Sequence, residues 1–236
     1  MKFQTPLVRA VLLRRYKRFL ADLRLEDGRE VTAHCANPGA MTGLAEPGAH
    51  VWAEANDDPK RKLKYSWKLV ELPGNHMACV DTSLPNRLVA EALAAGRIGE
   101  LAGYERVRPE VRFGENSRVD FLLQGAGRRD CHVEVKAVTL RRNGDLAEFP
   151  DTRTARGTRH LHELAKVVRE GGRAVTLYVL HRDDCRHVSV AADIDPAYGQ
   201  AWQAARRAGV EMLARGCSIS TREVRLGAAL PVIPFH

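Results

Sequence analysis

Asp120, Glu134 and Lys136 stand inside two runs that are otherwise largely apolar. Asp120 falls in Arg118–Leu123 (RVDFLL), and Glu134 and Lys136 fall in Cys131–Leu140 (CHVEVKAVTL). Two carboxylates beside a lysine can hold a hard divalent cation next to a phosphodiester. Alternation along a strand puts Glu134 and Lys136 on one face with His132 and Val138, and Cys131, Val133, Val135, Ala137 and Thr139 on the other. The intervening QGAGRRD contains Gly125 and Gly127 and reads as a turn. A hairpin centred near Gly127 sets Asp120 opposite Glu134, with Cβ atoms roughly 4.5–5.5 Å apart. The loop is long enough to leave that register open. An E-x-K pair is also what a solvated strand face with a weak ion pair presents. Val133, Val135, Val138 and Leu140 favour a covered strand, where a charge needs a partner or a metal.

The elements that must carry these residues fall into two groups. Up to about residue 80 the pattern is all β. FLADLRLE alternates, Asp27-Gly28 marks a hairpin, and REVTAHC, HVWAEA and KLKYSWKLVEL follow. About five short strands with Gly/Pro loops suggest a small barrel. Tyr65 and Trp67 alternate with Lys62, Lys64 and Lys68, so the aromatic side reads as core and the other side as basic. Pro85–Ala95 then reads as a helix stopped by Gly96. YERVRPEVRF and the two charged runs read as strands. Thr158 is the expected cap of a helix over RHLHELAKVVRE, AVTLYVLH a central strand, and Asp195-Pro196 the start of another helix. VEMLARGCSI is expected to close the sheet. The order α-β-β-β-α-β-α-β indicates a mixed-sheet α/β domain, with the boundary near residues 80–84.

The chain has 236 residues and a formal net charge of +8. A positive excess favours a polyanion as partner. Its basic residues cluster: Arg14, Arg15, Lys17 and Arg18; Lys60, Arg61, Lys62 and Lys64; Arg153, Arg156 and Arg159. Such blocks suit phosphates spaced along a backbone. The five cysteines are scattered and none forms CxxC, which points to reduced thiols in a cytoplasmic setting and away from a zinc site. No apolar run approaches membrane-spanning length, so no membrane partner is expected. His34, Asn37 and Thr42 lie in HCANPGAMTG, a loop of small residues that either turns the barrel tightly or approaches a phosphate or the second domain.

RRYKRFLADL, TAHCANPGAM, RKLKYSW, NSRVDFLL, HVEVKAVTL, FPDT and RGTRHLHEL occur in this order along nearly the whole chain. In these motifs the sequence resembles the sugar fermentation stimulation protein A (SfsA) family. The resemblance implies an α+β chain of two domains. Residues 1–82 would form an OB-fold-like nucleic-acid-binding barrel. Residues 83–236 would form a PD-(D/E)XK nuclease-like α/β domain with a mixed sheet. It further implies DNA binding. The nuclease acids and lysine carry over to Asp120, Glu134 and Lys136, and the acid often found on the first helix would be Glu91. The proline that precedes the first acid is replaced by Val119.

On this reading Asp120, Glu134, Glu91 and the carbonyl of Val135 hold Mg2+ or Mn2+, and Lys136 positions the attacking water. Arg14, Arg15, Lys17, Arg18, Lys60, Arg61, Lys62, Lys64, Arg153, Arg156 and His160 are the candidate DNA contacts. His160 and His162 are two apart on a helix and do not share a face, which argues against a zinc pair. No base-reading motif stands out, so the expected partner is double- or single-stranded DNA with little sequence specificity, with RNA as the other polymer an OB-fold accepts. Metal-dependent hydrolysis of DNA is the leading function. The alternative is a non-catalytic DNA-binding regulator of sugar-utilisation genes that retains a nuclease fold.

Overall fold

A computed structural model describes residues 1–114 and 117–235; Asn116 of the NSRVDFLL motif lies outside the described residues. The first domain is a barrel of β1 (Leu7–Tyr16), β2 (Leu20–Leu25), β3 (Glu30–Cys35), β4 (His50–Ala55) and β5 (Tyr65–Leu72), with β6 (His76–Cys79) added beside β5. Closure comes from β5, which pairs antiparallel with β4 and parallel with β3. Alternation decides what lines the interior: Leu12, Leu23, Val51 and Trp67 are fully buried. Trp67 satisfies its indole N–H on the Leu69 carbonyl (3.0 Å), so it is a core residue as the alternation predicts. The first strand is β1, upstream of the FLADLRLE segment that the sequence pattern marks first.

The second domain starts with α1 (Leu84–Ala94), which ends before Gly96 in the left-handed region. Its main sheet contains β7 (Arg106–Phe113), β8 (Ser117–Gln124) and β9 (Cys131–Val138). It continues with β12 (Arg173–Leu180), β14 (Glu211–Ile219) and β15 (Val224–Ala229), in the order β15-β14-β12-β9-β8-β7. β12 is central and parallel to both β9 and β14, in keeping with its continuous apolar run. The edge strand is β15, so VEMLARGCSI lies one strand in from where the pattern suggested. A small sheet of β10 (Leu140–Asn143), β11 (Leu146–Phe149) and β13 (His187–Val190) has no counterpart in the sequence reading, because its strands are four residues each and two of them continue the β9 run.

The helices cover both faces. α1 packs with Val133, Val135, Phe121 and Leu123 on one side, while α2 (Ala155–Arg169) and α3 (Pro196–Arg207) pack with Val138, Leu122 and Tyr178 on the other. Asp195 caps α3 by accepting from the Tyr198 N–H (3.0 Å), as its position before Pro196 predicts. α2 is capped one turn earlier than expected. Thr154 Oγ1 accepts from the Gly157 N–H (3.0 Å), and the Thr158 hydroxyl donates back to the Thr154 carbonyl (3.3 Å), which is an interior role. Among the described residues no helix is long and apolar enough to cross a membrane.

The two domains share apolar and polar contacts. Leu7 and Leu69 of the barrel join the cluster under α1, together with Met1 and Phe3, and the Met1 amine donates to the Val224 carbonyl (2.6 Å). The segment ahead of β1 therefore packs against the second domain, although it lies on the barrel side of the 82/83 division. β6 is held from the second domain: the Cys79 N–H donates to the His181 carbonyl (2.7 Å) and the Met77 N–H to Asp183 Oδ1 (2.9 Å). At the other contact, Gly39 of the HCANPGAMTG loop lies against Asp151. A Cβ at residue 39 would meet both Asp151 carboxylate oxygens, and Asn37 Oδ1 at 3.1 Å. Asp151 in turn accepts from the Met41 N–H (3.3 Å).

Gly39→Ala forces Asp151 off the Met41 N–H and should cost about 1–3 kcal/mol in urea unfolding; a second change, Asp151→Ala, should recover part of that loss because the residues are coupled. Burial pushes the fully buried His181 imidazole down from 6.5 to about 4, so the fold holds it neutral. Its contribution is fully present above the unfolded value and is lost as pH falls from 6.5 toward 4, because the unfolded chain then binds the extra proton. The stability difference between wild type and His181→Leu should shift against wild type by up to ~3 kcal/mol across that window, measured by denaturant unfolding at stepped pH.

Candidate metal centre

The β8–β9 ladder pairs Leu123 with Cys131, Leu122 with His132 and Phe121 with Val133. The same count brings Asp120 level with Glu134, the register expected from a turn centred at Gly127. Regular pairing stops there. The Asp120 carboxylate takes the place of a strand partner, accepting from the Val135 N–H at Oδ2 (2.6 Å) and from Asn86 Nδ2 of α1 at Oδ1 (2.7 Å). Asp120 is thereby fixed at the point where the two strands part, in reach of groups from both faces of the sheet.

Glu134 is 4% exposed. Its Oε1 accepts from Lys136 Nζ (2.7 Å) and is bonded to His160 Nδ1 (2.5 Å). Arg156 Nε donates to His160 Nε2 (3.4 Å), and since arginine only donates, Nδ1 carries the ring proton toward Glu134. His160 reaches this point because the capped start of α2 turns Gly157, His160, Leu161 and Leu164 inward as one stripe. Glu134 Oε2 is different: it is buried and has no hydrogen-bond partner among the described residues.

The electrostatics follow from burial. Desolvation, followed by the nearby Glu134 charge, pushes the Asp120 carboxyl up to about 6. Burial also opposes ionisation of Glu134, but the His160 hydrogen bond and the Lys136 charge outweigh it and hold that carboxyl below its ordinary value. The pair thus combines an ionised Glu134 with an orphaned oxygen and an Asp120 strained against a second negative charge. A divalent cation between them would relieve both conditions, and the donors are the hard oxygens that Mg2+, Mn2+ and Ca2+ take. Among the described residues, no group of three His, Cys, Asp or Glu converges for a metal, and the candidate centre has two carboxylates. A cleft of about 280 Å3 lies between the barrel loop and β9; Val135 and Lys136 line it together with Asn37, Gly39, Thr82, Glu148 and Asp151, while Asp120 and Glu134 stay behind its wall. Glu148 is committed to Arg142, which bonds both of its oxygens (2.7 and 2.8 Å).

Several expected site residues stand elsewhere. Glu91 is half exposed and pairs with Arg97 (2.9 Å) and the Met1 amine (3.6 Å). It follows Asn86 by five positions, roughly 140° further round the helix, so Asn86 and not Glu91 is the α1 residue that reaches Asp120. His160 is buried on Glu134 rather than displayed to a nucleic acid. Arg15 spends its guanidinium on the Arg18, Asn37 and Gly39 carbonyls (2.7–3.0 Å), and Arg18 donates to the Pro38 carbonyl (3.0 Å). Both therefore shape the barrel loop, although Arg18 also lines the cleft. Arg14 pairs with Asp22 (2.7 Å), and Lys64 donates to the Asp58 carbonyl (2.8 Å). Lys17, Lys60, Arg61, Lys62 and Arg153 are exposed. Asn86 and Asp151 carry no periodic signal in the sequence, whereas His160 lies on the inward stripe of α2 and bonds Glu134 instead of a nucleic acid.

Residues 13–80 match the SfsA N-terminal OB domain, and residues 83–223 match the sugar fermentation stimulation protein RE domain. A sugar fermentation stimulation protein homolog from Jannaschia sp. (strain CCS1) is 59% identical over 235 residues, covering 99% of this chain and 98% of its own. A homolog of the same description from Ruegeria sp. (strain TM1040) is 58% identical, covering 98% of this chain and 100% of its own. The solved structure of Pyrococcus furiosus SfsA in complex with Ca2+ superposes with a TM-score of 0.86 at 28% identity, over 99% of both chains. With both domains matched in order and relatives of this identity over the full length, the chain belongs to the sugar fermentation stimulation protein family.

Proposed function

We propose that the protein is a nucleic-acid-binding hydrolase that holds Mg2+ or Mn2+ at Asp120 and Glu134 and cleaves DNA phosphodiesters with little sequence specificity. The observation that carries this reading is the orphaned Glu134 Oε2, buried beside a second carboxylate on a basic chain. Carboxylates next to a polyanion repel it unless a cation sits between them. The Ca2+ in the Pyrococcus furiosus relative supports a hard divalent cation in the family.

In this mechanism Asp120, Glu134 and the Val135 carbonyl would hold the ion, which when bound would supply a Lewis acid for the phosphate and acidify water. Asn86 and the Val135 N–H keep Asp120 in place, and His160 fixes the orientation of Glu134 through Nδ1. Lys136, held at 2.7 Å from Glu134, offers its ammonium group to the attacking water and to charge developing on the phosphate. Lys17, Arg153 and the Lys60–Lys64 group contribute backbone contacts, which position a strand without reading its bases.

A second reading has its own support. With Glu91 turned away and two carboxylates remaining, the site suits a DNA-binding protein that keeps the metal and not the cleavage. Incubating the full chain with supercoiled, nicked and branched DNA and with RNA, in Mg2+ or Mn2+, separates the two. Cleavage should fall at least about a hundredfold in Asp120→Ala and Glu134→Ala, and calorimetry should show Mn2+ binding to wild type and none to either variant. Equal inertness of wild type and variants on every substrate, with binding intact, leaves the non-catalytic reading. Affinity for DNA should also fall steeply as salt rises; a flat salt response in an anisotropy titration would remove the polyanion partner altogether.

A further inference from the structure

A second cavity of about 340 Å3 lies beside the contact in which Thr82 Oγ1 donates to the Ala36 carbonyl (2.5 Å), while the metal-centre cleft takes in Thr82 itself. The N-terminal segment, β3, β5 and the start of α1 all contribute to its walls. Its two acids are already committed. Asp81 accepts from Lys68 (2.7 Å) and from the Ser83 hydroxyl and N–H (2.6 and 3.0 Å). Glu54 accepts from the Gln4 and Thr5 N–H groups (2.5 and 3.3 Å) and lies 3.5 Å from Lys68. The remaining ionisable side chains of the lining are Lys2, His34, Arg61, Lys68 and Arg87. Among the described residues, Lys2, His34, Arg61 and Arg87 make no side-chain hydrogen bond or ion pair, and all four are exposed. Three permanent cations and a histidine thus surround a cavity whose two carboxylates are hydrogen-bonded and share the ammonium of Lys68.

Arg87 directly follows Asn86, the residue that holds Asp120, and consecutive Cα atoms are about 3.8 Å apart. The cavity and the metal-centre cleft therefore adjoin through residues 82–87, which lets a single strand reach both. Walls from the N-terminal segment, β3, β4 and the loop after it, β5 and the start of α1 suit a chain end more than a strand running through. A terminal phosphate monoester carries roughly −1.5 to −2 at neutral pH, more than an internal diester, which matches the excess of free cations.

We propose that this cavity, lined by Lys2, His34, Arg61 and Arg87, binds the terminal phosphate of a nucleic-acid strand and directs the Asp120–Glu134 centre toward strand ends. The inference deepens the nucleic-acid reading above and rests on it. The test is fluorescence anisotropy of the full-length protein in Ca2+, with single-stranded deoxythymidine oligonucleotides carrying a 5′-phosphate, a 3′-phosphate or hydroxyl groups at both ends. One phosphorylated end should bind about tenfold more tightly than the hydroxyl-ended strand, the scale of a charge-assisted contact, and the better arm identifies the end. Arg87→Gln should bring that ratio close to one, and Arg87→Lys should keep part of it; because the readout is a ratio, a general loss of affinity does not mimic it. Equal binding of all three oligonucleotides to wild type, or a ratio that Arg87→Gln leaves intact, overturns the pocket while the nucleic-acid reading stands. Failure to bind any oligonucleotide overturns both.

Discussion

A carboxylate buried in the middle of a covered sheet is the constraint on which the second domain is organised. Glu134 sits on β9 between a parallel neighbour and an antiparallel one, under α2. An uncompensated charge there would cost about 3–5 kcal/mol, so cationic and hydrogen-bonding groups must be brought to it. Lys136 comes from the same strand face, two residues on. His160 comes from α2, whose start is set by the Thr154 cap and whose apolar stripe points the ring inward. Even so one oxygen of Glu134 has no donor among the described residues. Stability alone would favour a neutral residue at this position, and the arrangement makes physical sense where an ion completes the carboxylate pair.

The barrel matters to this centre through one loop. Residues 36–42 are shaped by Arg15 and Arg18, which donate to the loop carbonyls, and by Asn37, which accepts from the Gly39 N–H (2.8 Å). So shaped, the loop puts backbone against Asp151 where no side chain fits, and forms one wall of the cleft next to Lys136. Arginines that look like phosphate contacts in the sequence are thus spent on building the wall that a phosphate would meet. Exposed cations stand further out, among them Lys17 in the β1–β2 turn, those of the β4–β5 loop, Arg153 ahead of α2 and those around the second cavity.

The local periodicities of the chain were enough to determine a good deal. Alternation put Lys136 on the same face as Glu134 and made Trp67 core; it suggested Asp120 opposite Glu134 but left the register open, and the β8–β9 ladder sets it. Asp195 before Pro196 marked a helix start, and the run AVTLYVLH marked the central strand. Each of these depends on backbone geometry that repeats over a few residues, or on a cap that satisfies its own N–H groups. Long, specific motifs added the family, which covers both domains.

Tertiary structure alone decided which polar groups meet. Asn86 rather than Glu91 faces Asp120, because helix rotation separates positions five apart and α1 has a single orientation on the sheet. His160 is buried and bonded to Glu134, Arg15 is committed to three carbonyls, and the segment before β1 packs on the second domain. The short β10–β11–β13 sheet likewise forms only because β11 finds β13 across a sequence gap of some forty residues. Period and propensity act within a turn or a strand, whereas the choice of a hydrogen-bond partner is settled when distant segments are packed together and each buried polar atom must find what the sequence placed elsewhere.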